Sequence, residues 1–147
     1  MSKSQTSCIF CKIIAGEIPS HTVYNDKDVI AFLDIRPINP GHTLVLPKAH
    51  VANLSELGSP VDGHIFKIGR QIAAALRRSG LRCEGINLLL SDGKAAFQEI
   101  PHLHLHVIPR FHGDGIRLQA GPNYGQTPPT SELSENAEKI RSALKGC

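Results

Sequence analysis

Three histidines stand at alternate positions in the segment Gln98-Glu99-Ile100-Pro101-His102-Leu103-His104-Leu105-His106. On an extended strand, residues two apart point the same way, so His102, His104 and His106 line one face while Leu103, Leu105 and Val107 line the other. The aliphatic face can be buried. The imidazole face has chemistry to perform, because each ring would otherwise need its own buried hydrogen-bond partner. With an unperturbed pKa of about 6.5, imidazole serves either as a metal ligand or as a nucleophile and acid-base group near neutral pH. A rise of about 3.3 Å per residue separates the backbones of His102 and His106 by roughly 13 Å, so one ion bonded at about 2 Å holds neighbours but not both ends. At least one histidine is left for other work.

A second group of the same kind opens the chain. Cys8-Ile9-Phe10-Cys11 has the two-residue gap that lets both thiolates turn onto one ion, and a tetrahedral structural zinc needs two further ligands. His50 and one histidine of the triad segment are the natural donors. A redox role for the pair is disfavoured, because the βαβ pattern that accompanies such motifs is absent.

The elements that must carry these residues follow from periodicity. Ile9, Phe10, Ile13 and Ile14 recur at helical spacing between Cys8 and Gly16, predicting a short N-terminal helix. Strands are expected over His21 to Asn25, Asp28 to Asp34 and His42 to Leu46, the first two joined as a hairpin across Asn25-Asp26-Lys27-Asp28. The proline-rich loop from Arg36 to Gly41 leads into the third. Ile65, Ile68, Ile72 and Leu76 form one stripe between Pro60 and Ser79, marking the main helix, stopped by Gly80. Gly85 to Ser91 and His102 to Pro109 read as two further strands around a polar loop, and Ser131 to Lys145 as a final helix. Strand runs separated by one long helix indicate an α+β domain, an antiparallel sheet of about five strands with helices on one side.

Composition sets the outer bounds. A chain of 147 residues fits one domain that buries roughly two thirds of its unfolded surface. Apolar residues at 41% and charged residues at 20% exclude disordered and collagen-like classes. A formal charge of +3 is too small and dispersed for nucleic acid as a partner, yet does not oppose an anionic small molecule. Met1 to Ser7 is polar, the apolar run behind it is short and broken by Lys12, and no stretch suffices to span a bilayer, so the expectation is a cytoplasmic protein with no membrane partner. There Cys8, Cys11, Cys83 and Cys147 would be reduced thiols.

The segment Pro101-His102-Leu103-His104-Leu105-His106-Val107-Ile108-Pro109-Arg110 resembles the signature of the histidine triad (HIT) superfamily of nucleotide hydrolases and transferases. Cys8 to Pro19 is similar to the N-terminus of the zinc-containing Hit-like branch, and Ala31 to Ile35 followed by Pro40 to Lys48 to its central strands. The likeness runs in order over residues 8–112, leaving 113–147 as a C-terminal extension of one HIT domain spanning 1–147. It implies a HIT-like α+β fold and cleavage of a purine nucleotide at its α-phosphorus, the substrate being an AMP phosphoramidate or a dinucleoside polyphosphate. It also implies a homodimer with two sheets joined edge to edge.

By the same resemblance His104 is the nucleophile that carries a nucleotidyl intermediate, His106 hydrogen-bonds the phosphate and assists the leaving group, Gln98 reaches toward the scissile side and His42 buttresses the triad. Asp34 corresponds to the position that binds the ribose hydroxyls, and an acceptor-only carboxylate suits a diol. Phe10, Ile13, Phe32 and Ile35 are candidates for the slot around the base. Ser91, Gln98, His104 and His106 face the phosphate, together with backbone amides of the loop before the triad. The implied zinc set is Cys8, Cys11, His50 and His102, which fits the distance argument above and makes the ion structural, since four protein ligands leave no place for an activated water. The sequence departs from the family at two positions: Ser91 replaces a longer amide, usually Asn, and Phe97 a glycine. Both bear on rate and substrate preference, not on fold. The alternative is a nucleotide-binding or signalling module with little turnover, and a third reading is a purely structural zinc domain.

Overall fold

The computed structural model describes residues 7–117 and 119–147. The described residues up to Asp114 form one compact unit, and Gly115–Cys147 a second. In the first unit the order is α1 (Ile9–Ile14), β1 (Thr22–Asn25), β2 (Val29–Leu33), β3 (Thr43–Pro47), α2 (Val61–Leu76), β4 (Gly85–Leu90) and β5 (Leu105–Arg110), with short 3₁₀ turns at Leu54–Glu56 and Lys94–Ala96. The strands form one antiparallel sheet in the order β1-β2-β3-β5-β4. This is the five-stranded α+β architecture expected from the sequence. The β1–β2 turn is fixed by Asp26, whose carboxylate accepts the amides of Asp28 and Val29 on one oxygen and the Tyr24 hydroxyl on the other.

The expected placement of helices on one side needs correction. α2 covers one face, where Ile65, Ile68 and Leu76 pack on Val29, Ala31, Val45, Leu105 and Val107. The opposite face packs around α1, with Phe10 and Cys8 against Ile30, Phe32, Leu44 and Leu46. Hence Val29 to Phe32 and Thr43 to Pro47 are buried at every position rather than alternately. Such continuous apolar runs are what a strand covered on both faces requires. α2 approaches the sheet closely at Gly69, where a Cβ would lie 2.8 Å from Leu105 Cδ2.

The triad segment departs from the expected strand at its start: β5 begins at Leu105, not His102. The amide of His102 goes to Ile100 O and that of Leu103 to Val51 O, so neither enters the sheet ladder. Along β5, Leu105 and Val107 face α2, which turns His106 toward the α1 side of the sheet.

The loop before β3 closes as a tight turn over Asn39-Pro40-Gly41-His42, with the His42 amide donating to Asn39 O at 3.0 Å. Proline at the second and glycine at the third position is the type II pattern, and Gly41 has the positive φ of 95° it demands. A Cβ there would also stand 2.8 Å from Leu76 and 2.9 Å from Leu81. In the second unit, α3 (Thr130–Leu144) matches the helix expected from Ser131, with Leu133, Ile140 and Leu144 exposed along it. Among the described residues no helix is long and apolar enough to cross a membrane.

The Gly41→Ala variant combines an unfavourable backbone conformation with overpacking against α2. It should lose about 2–4 kcal/mol of stability in urea unfolding; a loss below 0.5 kcal/mol would contradict this account of the turn.

Candidate active site and metal cluster

Each imidazole in the site has a hydrogen-bond partner that fixes which ring nitrogen carries hydrogen. His104 places Nδ1 2.7 Å from the carbonyl of His102, so Nδ1–H donates and Nε2 keeps a free lone pair. Ile38 N donates to His42 Nδ1 at 3.1 Å, so the single hydrogen of neutral His42 lies on Nε2. That hydrogen is donated to His106 Nδ1 at 2.9 Å, which places the hydrogen of His106 on its own Nε2. The rings of His104 and His106 are 4.7 Å apart. The constellation therefore offers one nucleophilic nitrogen beside one donor.

Burial keeps these rings neutral. It lowers the pKa of His104 and of His42, and lowers His106 to about 4, with the neighbouring His104 and His42 adding to the effect on His106. His104 is 8% exposed, with Phe10 edge-on at 5.1 Å.

Asp34 Oδ1 accepts the Arg36 amide at 2.8 Å, and Oδ2 lies 3.8 Å from His42 Nδ1. Asp34, His42 and His106 also bring possible ligand atoms within 4.8 Å of one another. Both nitrogens of His42 are already engaged, however, so His42 and His106 form a hydrogen-bonded pair with Asp34 beyond hydrogen-bond reach, rather than an ion cage.

His102 turns instead to the two cysteines. Its Nε2–H donates to Pro47 O at 2.8 Å, leaving the Nδ1 lone pair 3.6 Å from both Cys8 Sγ and Cys11 Sγ. His50 Nδ1 is 3.2 Å from Cys11 Sγ. In a tetrahedral site with Zn–S of about 2.3 Å and Zn–N of about 2.0 Å, sulfur and nitrogen ligands stand roughly 3.5 Å apart. The four residues thus fit zinc, and the Pro47 carbonyl orients His102 as an outer-shell partner would. Burial, then the hydrogen bond and charge of Cys8, push the Cys11 thiol up to about 11, so a bound cation is what would make it a thiolate.

The remaining sequence candidates are placed unevenly. Phe10 and Phe32 are core residues, Ile13 and Ser91 are half-buried, and Ile35 is exposed. Gln98 does not extend from its loop: Oε1 accepts Gly93 N and Nε2 donates to Ala52 O, both at 2.8 Å. The amides of Ala96, Phe97 and Gln98 donate to carbonyls within the same loop, which leaves fewer of them for an anion than the sequence suggested. Phe97 adopts a left-handed φ of 62°, a conformation that favours glycine, and its side chain is exposed. Sequence reasoning missed the Ile38 amide and the Pro47 carbonyl, since a backbone group leaves no trace in residue type.

The HIT domain model matches residues 15–113. The chain belongs to the HIT family. An uncharacterized HIT-like protein of Methanocaldococcus jannaschii is 45% identical over 114 residues, 78% of this chain and 87% of its own length. The adenosine 5′-monophosphoramidase of Schizosaccharomyces pombe is 34% identical over 139 residues, covering 95% of this chain and 99% of its own. Among solved structures, a zinc-bound histidine triad family protein of Mycobacterium smegmatis superposes with a TM-score of 0.74 at 42% identity, covering 80% of this chain and 85% of that one. These relatives place the chain in the Hit-like branch.

In this HIT protein the Cys8, Cys11, His50 and His102 cluster predicts a measurable response to metal. Zinc added to chelator-treated protein should raise Tm by on the order of 10 °C. Cys11→Ser should remove that rise, and an undiminished rise in the variant would exclude the cluster as the binding site.

Proposed function

We propose that the protein is a hydrolase or nucleotidyl transferase that displaces the leaving group from the α-phosphorus of a purine nucleotide, using His104 Nε2 as nucleophile. The observation that carries this is the 2.7 Å hydrogen bond from His104 Nδ1–H to the His102 carbonyl. It frees Nε2 for attack, and as that nitrogen bonds to phosphorus the ring becomes cationic, a charge the carbonyl dipole stabilises. His106 Nε2–H donates to the phosphate oxygens, and as the Nε2–P bond forms the P–N or P–O bond to the leaving group breaks, the leaving nitrogen or oxygen taking a proton from solvent that the hydrolytic water later gives back. Water then cleaves the nucleotidyl-histidine and restores the ring. AMP phosphoramidates and dinucleoside polyphosphates both fit, and the phosphoramidase activity named for the Schizosaccharomyces pombe relative favours the first.

In this reading Asp34 Oδ2 receives the ribose hydroxyls, with Ser91 beside the phosphate and Phe10, Ile13, Phe32 and Ile35 around the base. Gln98 reaches the scissile side only by exchanging its bonds to Gly93 and Ala52. Zinc on Cys8, Cys11, His50 and His102 would be structural, holding the chain on which His104 sits. The outer edge of β4, with Leu88 and Leu89 exposed, would join a second copy into a homodimer. The free thiols suit the reducing cytoplasm. A second reading, a nucleotide-binding module with little turnover, draws support from Phe97 in a glycine conformation and from the tethered Gln98 amide.

Incubation with adenosine 5′-phosphoramidate separates the two. Wild type should release AMP and His104→Ala should lose at least about 10³-fold in kcat/KM. If both bind AMP and neither releases it, the hydrolase reading fails. Because burial lowers the pKa of His104, the nucleophile stays neutral below the value of an ordinary imidazole. The kcat/KM should therefore hold level as pH falls through 6.5 and decline only beneath it; a drop centred at or above 6.5 would refute the neutral, desolvated ring.

A further inference from the structure

The hydrogen on His106 Nε2 is decided several bonds away, at the Ile38 amide. The reason lies in what competes for His42 Nδ1. The Ile38 N–H lies 3.1 Å from it and demands a lone pair, whereas the Asp34 carboxylate, 3.8 Å away, would welcome a hydrogen. If the amide withdrew, Nδ1–H facing Asp34 would become the favoured form. His42 Nε2 would then carry the lone pair, His106 would have to place its hydrogen on Nδ1 to keep the 2.9 Å contact, and His106 Nε2 would meet the phosphate as an acceptor. Two acceptors repel, so the loop that holds Ile38 sets the polarity of the pair.

That loop is held by a carboxamide. Asn39, 7% exposed, donates from Nδ2 to Pro109 O at 2.9 Å and to Asp114 Oδ2 at 3.0 Å. Asp114 in turn is gripped by Arg110, Nε to Oδ2 at 2.6 Å and Nη2 to Oδ1 at 3.0 Å, a two-pronged ion pair that fixes the carboxylate in the plane of the guanidinium. The Asn39 carbonyl accepts the His42 amide, so the same residue ties both ends of the turn. Pro37 and Pro40 restrict the backbone on either side of the Ile38-Asn39 pair.

We propose that Asn39, clamped to the end of β5 by Pro109 O and the Asp114–Arg110 pair, is a positioning residue that sets the tautomers of His42 and His106 by holding the Ile38 amide against His42 Nδ1. It touches no substrate. Its consequence for the phosphate rests on the reaction proposed above, but the tautomers themselves do not.

The test is a long-range ¹H–¹⁵N correlation spectrum of the full-length protein labelled at the histidine ring nitrogens, at neutral pH and without substrate. In wild type, His42 and His106 should both carry hydrogen on Nε2 and His104 on Nδ1. In Asn39→Ala, Nδ1–H forms of His42 and His106 should appear together while His104 keeps its own pattern, and kcat/KM on adenosine 5′-phosphoramidate should fall about 10- to 100-fold. Asp114→Asn retains an oxygen for Asn39 while weakening the grip of Arg110, so it should lower Tm and leave the tautomers in place. An Nδ1–H form of His42 in wild type would overturn the inference. So would a folded Asn39→Ala protein with both tautomers unchanged, or a tautomer change in Asp114→Asn as large as in Asn39→Ala. If Asn39→Ala does not fold, the same spectrum of Asn39→Gln, whose carboxamide sits one methylene further out, is read by the same criteria. The assigned tautomers in wild type and their change in Asn39→Ala, beside an absent hydrolysis in wild type, would defeat the reaction and not the clamp.

Discussion

A neutral imidazole has one hydrogen for two nitrogens, and this scarcity organises the site. Wherever a fixed donor or acceptor claims one nitrogen, the other is committed to the opposite role. Three backbone groups make that choice: the His102 carbonyl for His104, the Pro47 carbonyl for His102, and the Ile38 amide for His42. The rings are buried, so protonation does not relax the choice at neutral pH. One strand segment can therefore direct neighbouring histidines to opposite work, His102 showing the Nδ1 lone pair to two sulfurs and His104 keeping its lone pair on Nε2.

The sheet supplies the rigidity this requires. β2 and β3 are sealed by α2 on one face and by α1 with the opposite cluster on the other. The histidines project on the α1 side, where Phe10 packs edge-on against both His102 and His104. Core and site are thus one body of packed atoms, and Phe10 belongs to both.

Much of this was legible in the residues. Alternate histidines, the Cys-x-x-Cys pair and the apolar stripe of α2 announced triad, cluster and main helix, because each depends on side-chain type at fixed spacing. The segment before His42 was visible only as a proline-rich loop, and nothing in its composition said that it would close as a turn or choose a tautomer. What escaped was carried by backbone groups and by tertiary placement. The coverage of both sheet faces was written in the unbroken apolar runs of β2 and β3, yet such runs mark burial without naming what covers it. The delayed start of β5 escaped for a related reason: period-two patterning describes where side chains point, whereas ladder membership depends on partners such as Val51 O, distant in sequence.

His102 is fastened at its amide to Ile100, at its ring to Pro47, and at its carbonyl to His104. A residue pinned at three points has almost no freedom left to lend its neighbour. In the reaction proposed for His104, the entropy lost in aiming its nitrogen is therefore incurred once, when the polypeptide collapses, and not again in each encounter with a reactant. Enzymes that orient a nucleophile through a mobile loop pass through that ordering in every cycle, whereas here the aim outlasts any single visit.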